Sequence, residues 1–549
     1  MEHNQLQPEE IAEEYSLHPS LAQVICQRGI NTEEKINTYF LGQLDDLHPP
    51  AAIPNIDWVT EVIRDAASRG KEIVIFTDYD VDGITGAVIL YRSIQSLFPE
   101  ASLDLHLSSR FVEGYGLTRD SIDSLNQQGA ELIITVDCGI NDLEEIAYAE
   151  ELGIEVVVID HHQAEVKPEF PFVNLRVYSG DYPFLDLCGC AMVWKTAQHL
   201  LQDNLYSFLD LVALATIADL VDLKDENRII VRKGLELINE GNCNQGLGTL
   251  LRLKGIKAGD VTSEIIAYQI APMINASGRL GSADKSLELL LTEEDQRRKI
   301  LAVALNQLNL RRRKKTEQAL KLVKESIDTS QGIIVYKGQV ETGIMGLVAA
   351  NLREIYSKPA VIIGKNNRGS CRSIQPLNMY LLLKECSEYL HSYGGHKMAA
   401  GLTIKKGKYK ELCQRLYHST SALEYEAQQP DLELRVEELN MDLINDLERM
   451  TPFGKGNNPP VFHLRSISCH NLILLANKHL QFQINGFQAI GYNMREHFEL
   501  CQREKVDLLL RPELNQQERS GRLVIEDIYA SEGCRGGDSG SKFDNYITG

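Results

Sequence analysis

The string DYDVDG at residues 78–83 places three carboxylates, Asp78, Asp80 and Asp82, at alternate positions directly behind the apolar run KEIVIFT (71–77). Asp137 follows ELIITV in the same way, and Asp160, His161 and His162 follow IEVVVI. Any one of these acids reads most simply as a helix cap or turn residue, because Asp is a preferred N-cap. Three strand ends with five carboxylates and two imidazoles read differently, since anions at that density repel one another unless cations sit among them. Oxygen ligands with one or two histidines suit Mn2+ or Mg2+ better than a thiolate-seeking metal. Asp219 is a further candidate. It interrupts the apolar helix LVALATIADLVDL, where an unpaired carboxylate is costly to bury. The alternative is a helix that ends near Asp219 and leaves the acid in solvent.

The elements that must position these groups are legible in outline. The three apolar runs are short and rich in β-branched residues, and helix-like stretches such as GAVILYRSIQSLF and NDLEEIAYAEELG separate them. That is the pattern of a parallel sheet with helices on both faces. Ligands of such sheets bind outside the carboxyl ends of the strands, so the acids are expected to converge on one crevice. A charged amphipathic segment from about Glu293 to Ile327 leads to a second α/β pattern, with GIIVY, PAVIIG and MYLLLKECSEYL. From Leu432 to Tyr529 the runs LQFQING, FQAIGYN, VDLLLRP and RLVIEDIY predict a small barrel or sandwich. Ahead of the first sheet, SLAQVICQRGI and NTEEKINTYFL predict helices, the second capped by Asn31 or Thr32, and HPPAAIP marks a boundary. The Gly- and Ser-rich end, SEGCRGGDSGSKFDNYITG, is expected to be disordered.

With 549 residues and 43% hydrophobic content, the chain needs several cores. A formal net charge of -21 argues against coating nucleic acid by bulk electrostatics and against an anionic membrane surface, while leaving room for a local basic groove. RRRKK (311–315) is either a solvated helix face or part of such a path. No apolar run reaches the roughly 18 residues of a membrane span, and MEHNQLQPEEIAEEY lacks a signal pattern, so a soluble cytoplasmic protein is expected. The 11 cysteines are odd in number, and Cys188 and Cys190 form the only close pair, as for reduced thiols.

DYDVDG, VDCGI (136–140) and DHH (160–162) together resemble the DHH phosphoesterase family. RFVEGYGL (110–117), ATIADLVDL (215–223), INASGRL (274–280), GSCRS (369–373), GGHKMAAG (394–401) and TPFGKGNNPPVF (451–462) resemble the RecJ single-stranded-DNA-specific exonucleases within it, in order, over residues 15–530. The resemblance implies an N-terminal helical segment (1–50), a parallel-sheet DHH catalytic domain (51–292) and a long connecting helix (293–328). A smaller DHH-associated α/β domain (329–430), an OB-fold-like nucleic-acid-binding domain (431–530) and the tail (531–549) follow.

The resemblance also implies metal-dependent hydrolysis of single-stranded DNA from a 5′ end to 5′-mononucleotides, in DNA repair and recombination, with one or two Mn2+ or Mg2+ ions. A single-strand-binding protein or a helicase is the protein partner it implies. Carried over residue by residue, the metal ligands are Asp80, Asp82, Asp137, His161 and Asp219, with Asp137 bridging if two ions bind. Asp160 would accept a ring N–H and support His161, and His162 would face the phosphate. Arg110, Ser370 and Arg372 would hold the terminal phosphate, the latter two in a loop after PAVIIG, and Asn275 and Arg279 would meet the substrate backbone. His396 lies in a Gly394–Gly395 turn that lets the chain approach a ligand.

Two positions depart from the family pattern: Phe76, where many members carry a metal-binding histidine, and QVETG at 339–343. A phosphodiesterase of short oligonucleotides or cyclic dinucleotides would lack the terminal barrel and INASGR, and a catalytically silent replication scaffold would lose site acids. This chain keeps all of these features.

Overall fold

The computed structural model describes residues 5–108, 116–164, 166–177, 182–281, 283–421, 423, 429–515 and 520–531. Arg110 and residues 532–549 of the expected tail lie outside them.

The first sheet contains β1 (Ile73–Thr77), β2 (Leu103–Leu107), β3 (Leu132–Val136), β4 (Glu155–Ile159) and β5 (Phe172–Val173). All pairings are parallel, in the order β2-β1-β3-β4-β5. Strand order reverses between β1 and β3, the switch point at which doubly wound sheets open a crevice. β1 and β3 are buried at every position, which accounts for their unbroken apolar runs. The edge strand β2, LDLHL, alternates polar with apolar residues and was not expected as a strand.

Ile75, Ile134 and Val157 on one face of this sheet share a core with the helices Val81–Leu97 and Gly189–Leu201. On the other face, Val74, Phe76, Ile133 and Val158 pack with Ile122 and Ile146 of two further helices. Phe76 is fully buried there, its ring stacked on His106 of β2 at 5.2 Å. This is core packing at the place where the family often has a ligand.

The 30-residue helix Asp295–Lys324 leads to the second sheet. It holds β6 (Ile334–Gly338), β7 (Ala360–Gly364), β8 (Arg368–Arg372), β9 (Leu390–Gly395) and β10 (Ala399–Ile404), ordered β6-β7-β8-β10-β9. Within QVETG, Glu341 N-caps the helix Thr342–Tyr356 and pairs with Lys315 at 2.5 Å, tying this domain to the long helix. RRRKK is thus divided: Lys315 is paired across domains, Arg312 is partly buried, and Arg311, Arg313 and Lys314 face solvent.

The third sheet has β11 (Leu432–Glu433), β12 (Phe462–Ile467), β13 (His470–Leu475), β14 (His479–Ile484), β15 (Phe487–Gly491), β16 (Val506–Asn515) and β17 (Ser520–Ala530). Their order is β11-β12-β16-β17-β15-β14-β13. Asn485 and Gly486, at φ +48 and +84, form the tight turn between β14 and β15.

The N-terminal helices Pro8–Glu14, Pro19–Gln27 and Glu33–Leu41 share a core with this last sheet: Ile11, Leu21, Ile25 and Ile36 meet Leu443, Leu447, Met450 and Phe462. Thr32 caps the third helix, accepting from Lys35 N at 3.4 Å. One side chain of the helix Asp225–Asn239 joins all three parts. Arg228 is 2% exposed, with Cζ 3.7 Å from the centroid of the Tyr39 ring. It donates to the carbonyls of Tyr39 (2.7 Å), Thr451 (2.9 Å) and Pro452 (3.4 Å). A buried guanidinium needs several such acceptors to offset its lost hydration.

Candidate metal centre

Each acid is aimed by local backbone chemistry. Asp80 N-caps the helix Val81–Leu97, its Oδ1 accepting from Asp82 N (2.9 Å) and Gly83 N (3.3 Å). Two residues on, Asp82 points inward and accepts from Gly189 N (2.7 Å) and Cys190 N (2.8 Å), amides at the start of the helix Gly189–Leu201. Asp78 accepts from Ser108 Oγ at 3.1 Å. Asn275 Oδ1 accepts from Val81 N at 3.0 Å, so INASGRL braces the DYDVDG turn. Asp137 adopts φ +60, which turns its carboxylate across the end of β4. A Cβ at Gly189 would lie 2.8 Å from Asp137 Cβ and Oδ1, so glycine is required for this approach.

Asp160 is the hub of the third strand end. Its Oδ1 accepts from His161 N (2.7 Å) and His162 N (3.0 Å) and lies 2.7 Å from His162 Nδ1, while Oδ2 accepts from Ile140 N at 3.1 Å. The imidazole it supports is therefore that of His162, a correction to the expected support of His161, because the rotamer of His162 folds its ring back over the Asp160 carboxylate. His161 Nε2 instead faces three acids: Asp137 Oδ1 at 3.2 Å, Asp219 Oδ2 at 3.7 Å and Asp82 Oδ2 at 3.8 Å. Asp219 does not interrupt a continuing helix. The helix ends at Ala218, and Asp219 is its C-cap, partly exposed yet directed at the cluster.

Three overlapping sets have ligand atoms within 4.8 Å of one another: Asp82, His161 and Asp219; Asp78, Asp80 and Asp137; Asp137, His161 and His162. Burial, then the charge of Asp80, lifts the Asp78 carboxyl to about 7. Burial and the charges of Asp82, Asp80 and Asp219 push Asp137 far above the usual carboxylate range, and burial with Asp82 and Asp80 does the same to Asp219. Burial and neighbouring His162 hold His161 down to about 4. Against burial, Asp160 raises His162 to about 9, and His162 in turn takes Asp160 down to about 2.

A cluster of acids that can ionise together only at a cost is a site short of positive charge. Among the described residues neither ring nitrogen of His161 makes a hydrogen bond, although both are buried. A divalent cation with mixed oxygen and imidazole ligands meets both requirements, so the donor set fits Mn2+ or Mg2+.

The second domain faces this centre. The His396 ring stacks on His162 with centroids 6.0 Å apart. Ser370 and Arg372 lie in strand β8, not in a loop as expected, because PAVIIG turns straight back into an antiparallel neighbour. Arg372 Nη1 donates to Ser370 Oγ at 3.3 Å, and Ala399, which pairs with Arg372, accepts from His396 N at 2.7 Å. Arg279 lies at the end of the helix Ala271–Leu280, beside Arg312. Burial, then the charges of Arg279 and Arg313, holds Arg312 down to about 10.

Sequence reasoning missed Gly189, Ser108 and Asn174. Asn174 Nδ2 donates to His162 O at 2.9 Å and its Oδ1 accepts from Arg176 N at 2.8 Å, fixing the loop beyond DHH. The polar NLR that ends β5 was the available signal.

Three family descriptions match in chain order: DHH family, N-terminal domain, over residues 72–216; DHHA1 domain over 330–421; and RecJ OB domain over 430–527. Together they define a DHH-type protein extended by an OB domain. The chain is 32% identical over 549 residues to the single-stranded-DNA-specific exonuclease RecJ of Bacillus subtilis (strain 168), across 95% of this chain and 69% of that protein. RecJ from Thermus thermophilus in complex with Mn2+ superposes with a TM-score of 0.84 at 25% identity, covering 98% of this chain and 80% of that one. Its complex with Mg2+ gives 0.78 at 24% identity, covering 98% and 79%. The chain belongs to the RecJ family of single-stranded-DNA-specific exonucleases.

Proposed function

We propose that this chain is a metal-dependent exonuclease that hydrolyses single-stranded DNA from a 5′ end to 5′-mononucleotides, in DNA repair and recombination. The observation that carries the reading is the convergence of acids from separate elements on His161 Nε2 at 3.2–3.8 Å, in a chain related to the RecJ of Bacillus subtilis over 95% of its length. In this reading Asp80, Asp82, Asp137, His161 and Asp219 would hold one or two Mn2+ or Mg2+ ions, Asp137 serving both if two bind. When bound, the ions supply a water of lowered pKa and offset charge on the phosphate oxygens.

The chain's own residues bind and orient. Against burial, Asp160, 2.7 Å from Nδ1, raises His162 to about 9, and the imidazolium so favoured carries N–H on both ring nitrogens, leaving Nε2–H as a donor for a phosphate oxygen. His396 extends that wall. Ser370 and Arg372 take the terminal phosphate, for which a guanidinium fork is suited, and Asn275 and Arg279 border the strand's path. The OB domain carries the remaining strand, and a single-strand-binding protein or a helicase delivers it. Every described cysteine is free, in keeping with a cytoplasmic enzyme, and among the described residues no helix is long and apolar enough to cross a membrane.

The test is digestion of end-labelled single-stranded DNA with Mn2+. Mononucleotides released from a free 5′ end, with a 5′-blocked strand resistant and a dinucleotide a poor competitor, are expected. Equal digestion of the blocked strand, or preference for the dinucleotide, would overturn the proposal.

A further inference from the structure

The segment that follows Asp219 is held from outside its own domain as well as by the burial of Val221 and Leu223 within it. Leu220 has φ +58 and Asp225 φ +46, left-handed conformations that residues with a Cβ keep only when their surroundings impose them. The Leu220 side chain is 61% exposed and cannot supply that constraint itself. The loop 451–459 of the C-terminal domain bears on the segment at Asp222 and Leu223. Lys455 O accepts from Leu223 N at 2.7 Å, and Lys455 Nζ lies 3.4 Å from Asp222 Oδ1. Gly454 and Gly456 let the two backbones meet: a Cβ would fall 2.6 Å from Leu223 Cδ1 at the first and 2.9 Å from Asp222 Cβ at the second. The loop is itself pinned. Asn457 Nδ2 donates to Met450 O and Pro452 O, both at 2.9 Å, and its Oδ1 accepts from Tyr39 Oη at 2.9 Å. Ser263 Oγ donates to Phe453 O at 2.6 Å.

We infer that the loop 451–459 is a positioning element for Asp219, so that docking of the C-terminal domain sets the metal affinity of the catalytic centre. The other proposed ligands sit at strand ends or in the helix turn behind β1, anchored by the first sheet's own domain. Asp219 caps a helix whose continuation is held from two sides, by the burial of Val221 and Leu223 in its own domain and by the loop of a different one. By linkage, whatever shifts the C-terminal domain, a bound strand included, must change metal affinity, and metal must change strand affinity by the same factor. This inference rests on the metal-dependent reading above.

The experiment measures Mn2+ binding to the full-length protein by electron paramagnetic resonance of the free ion, alongside thermal melting. Gly456→Ala drives a Cβ into Asp222 at a residue of φ +75, and Gly486→Ala imposes the same backbone penalty at φ +84 with nothing within 4 Å. We expect Gly456→Ala to weaken Mn2+ binding about tenfold, as for the loss of a group that orients a ligand, and Gly486→Ala to leave it within about twofold. Activity lost in Gly456→Ala should return at raised Mn2+. Lys455→Ala, at an exposed position that does not endanger folding, should weaken Mn2+ binding about threefold and Lys455→Arg should restore it. Unchanged Mn2+ affinity in both Gly456→Ala and Lys455→Ala, or equal weakening in Gly486→Ala, would overturn the inference. Asp137→Asn separates the two readings: if it also binds Mn2+ like the wild type, the metal centre itself is wrongly placed, whereas its loss beside a fully competent Gly456→Ala removes the positioning role alone.

Discussion

His162 Nδ1 lies 2.7 Å from Asp160 Oδ1, while the adjacent His161 directs Nε2 into three other carboxylates. Two neighbouring imidazoles thereby acquire opposite habits, one holding a proton and the other offering a lone pair.

In the metal-free protein, heteronuclear NMR titration should find His162 protonated up to about 9 and His161 neutral down to about 4. Because the folded-state value of His162 lies above its ordinary 6.5, its contribution to stability is complete below 6.5 and is lost as pH rises through about 9. Asp160→Asn should remove that alkaline slope and let His162 titrate lower. Two histidines titrating together near their ordinary value would contradict the arrangement.

Asp137→Asn should have opposite effects with and without metal. Removing one of several crowded, buried carboxylates relieves repulsion, so the metal-free variant should melt no lower than wild type at pH 8. Mn2+ should raise the melting temperature of the wild type and leave the variant unmoved, and activity should fall at least ~100-fold. Calorimetry with and without Mn2+ decides it.

Gly189→Ala carries a new methyl to 2.8 Å from the Asp137 carboxylate. Overpacking at a buried contact costs about 1–3 kcal/mol, and the ligand must move to make room. A fall in kcat of about tenfold, with KM for DNA nearly unchanged, is the expected signature of a disturbed ligand rather than a lost binding surface.

Arg228→Met leaves three carbonyls without their donor and removes the cation from the face of Tyr39. A loss of about 3 kcal/mol is expected, since hydrogen bonds from charged donors are among the stronger ones. Differential scanning calorimetry should show the N-terminal helices and third sheet melting together, apart from the catalytic domain; one unchanged cooperative transition would speak against this clamp.

KEIVIFT, ELIITVD and IEVVVID announce their strands because a strand covered on both faces has no position for a polar residue. The acids behind them announce a site for the same reason, since strand ends are where a covered sheet first opens. LDLHL escapes notice because an edge strand keeps one half-exposed side, and five alternating residues match several other patterns. Asp160 pairs with His162 rather than His161 through a choice of rotamer, which residue order does not encode. Gly189 is one glycine of LCGC until its approach to Asp137 is known. The end of the helix at Ala218 is one of two readings of LVALATIADLVDL, and the apolar run cannot decide between them because Val221 and Leu223 beyond the end are buried in the same core as the helix.

The shared core of the first helices and the last sheet has a consequence for biosynthesis. Ile11, Leu21, Ile25 and Ile36 leave the ribosome early, but their partners from Leu443 onward are made some 400 residues later. At about 5–20 residues per second the apolar face of this arm waits roughly 20–80 s for its cover. During that interval it is open to chaperones and to other nascent chains, so the amount of native enzyme a cell accumulates should depend on how that waiting arm is shielded.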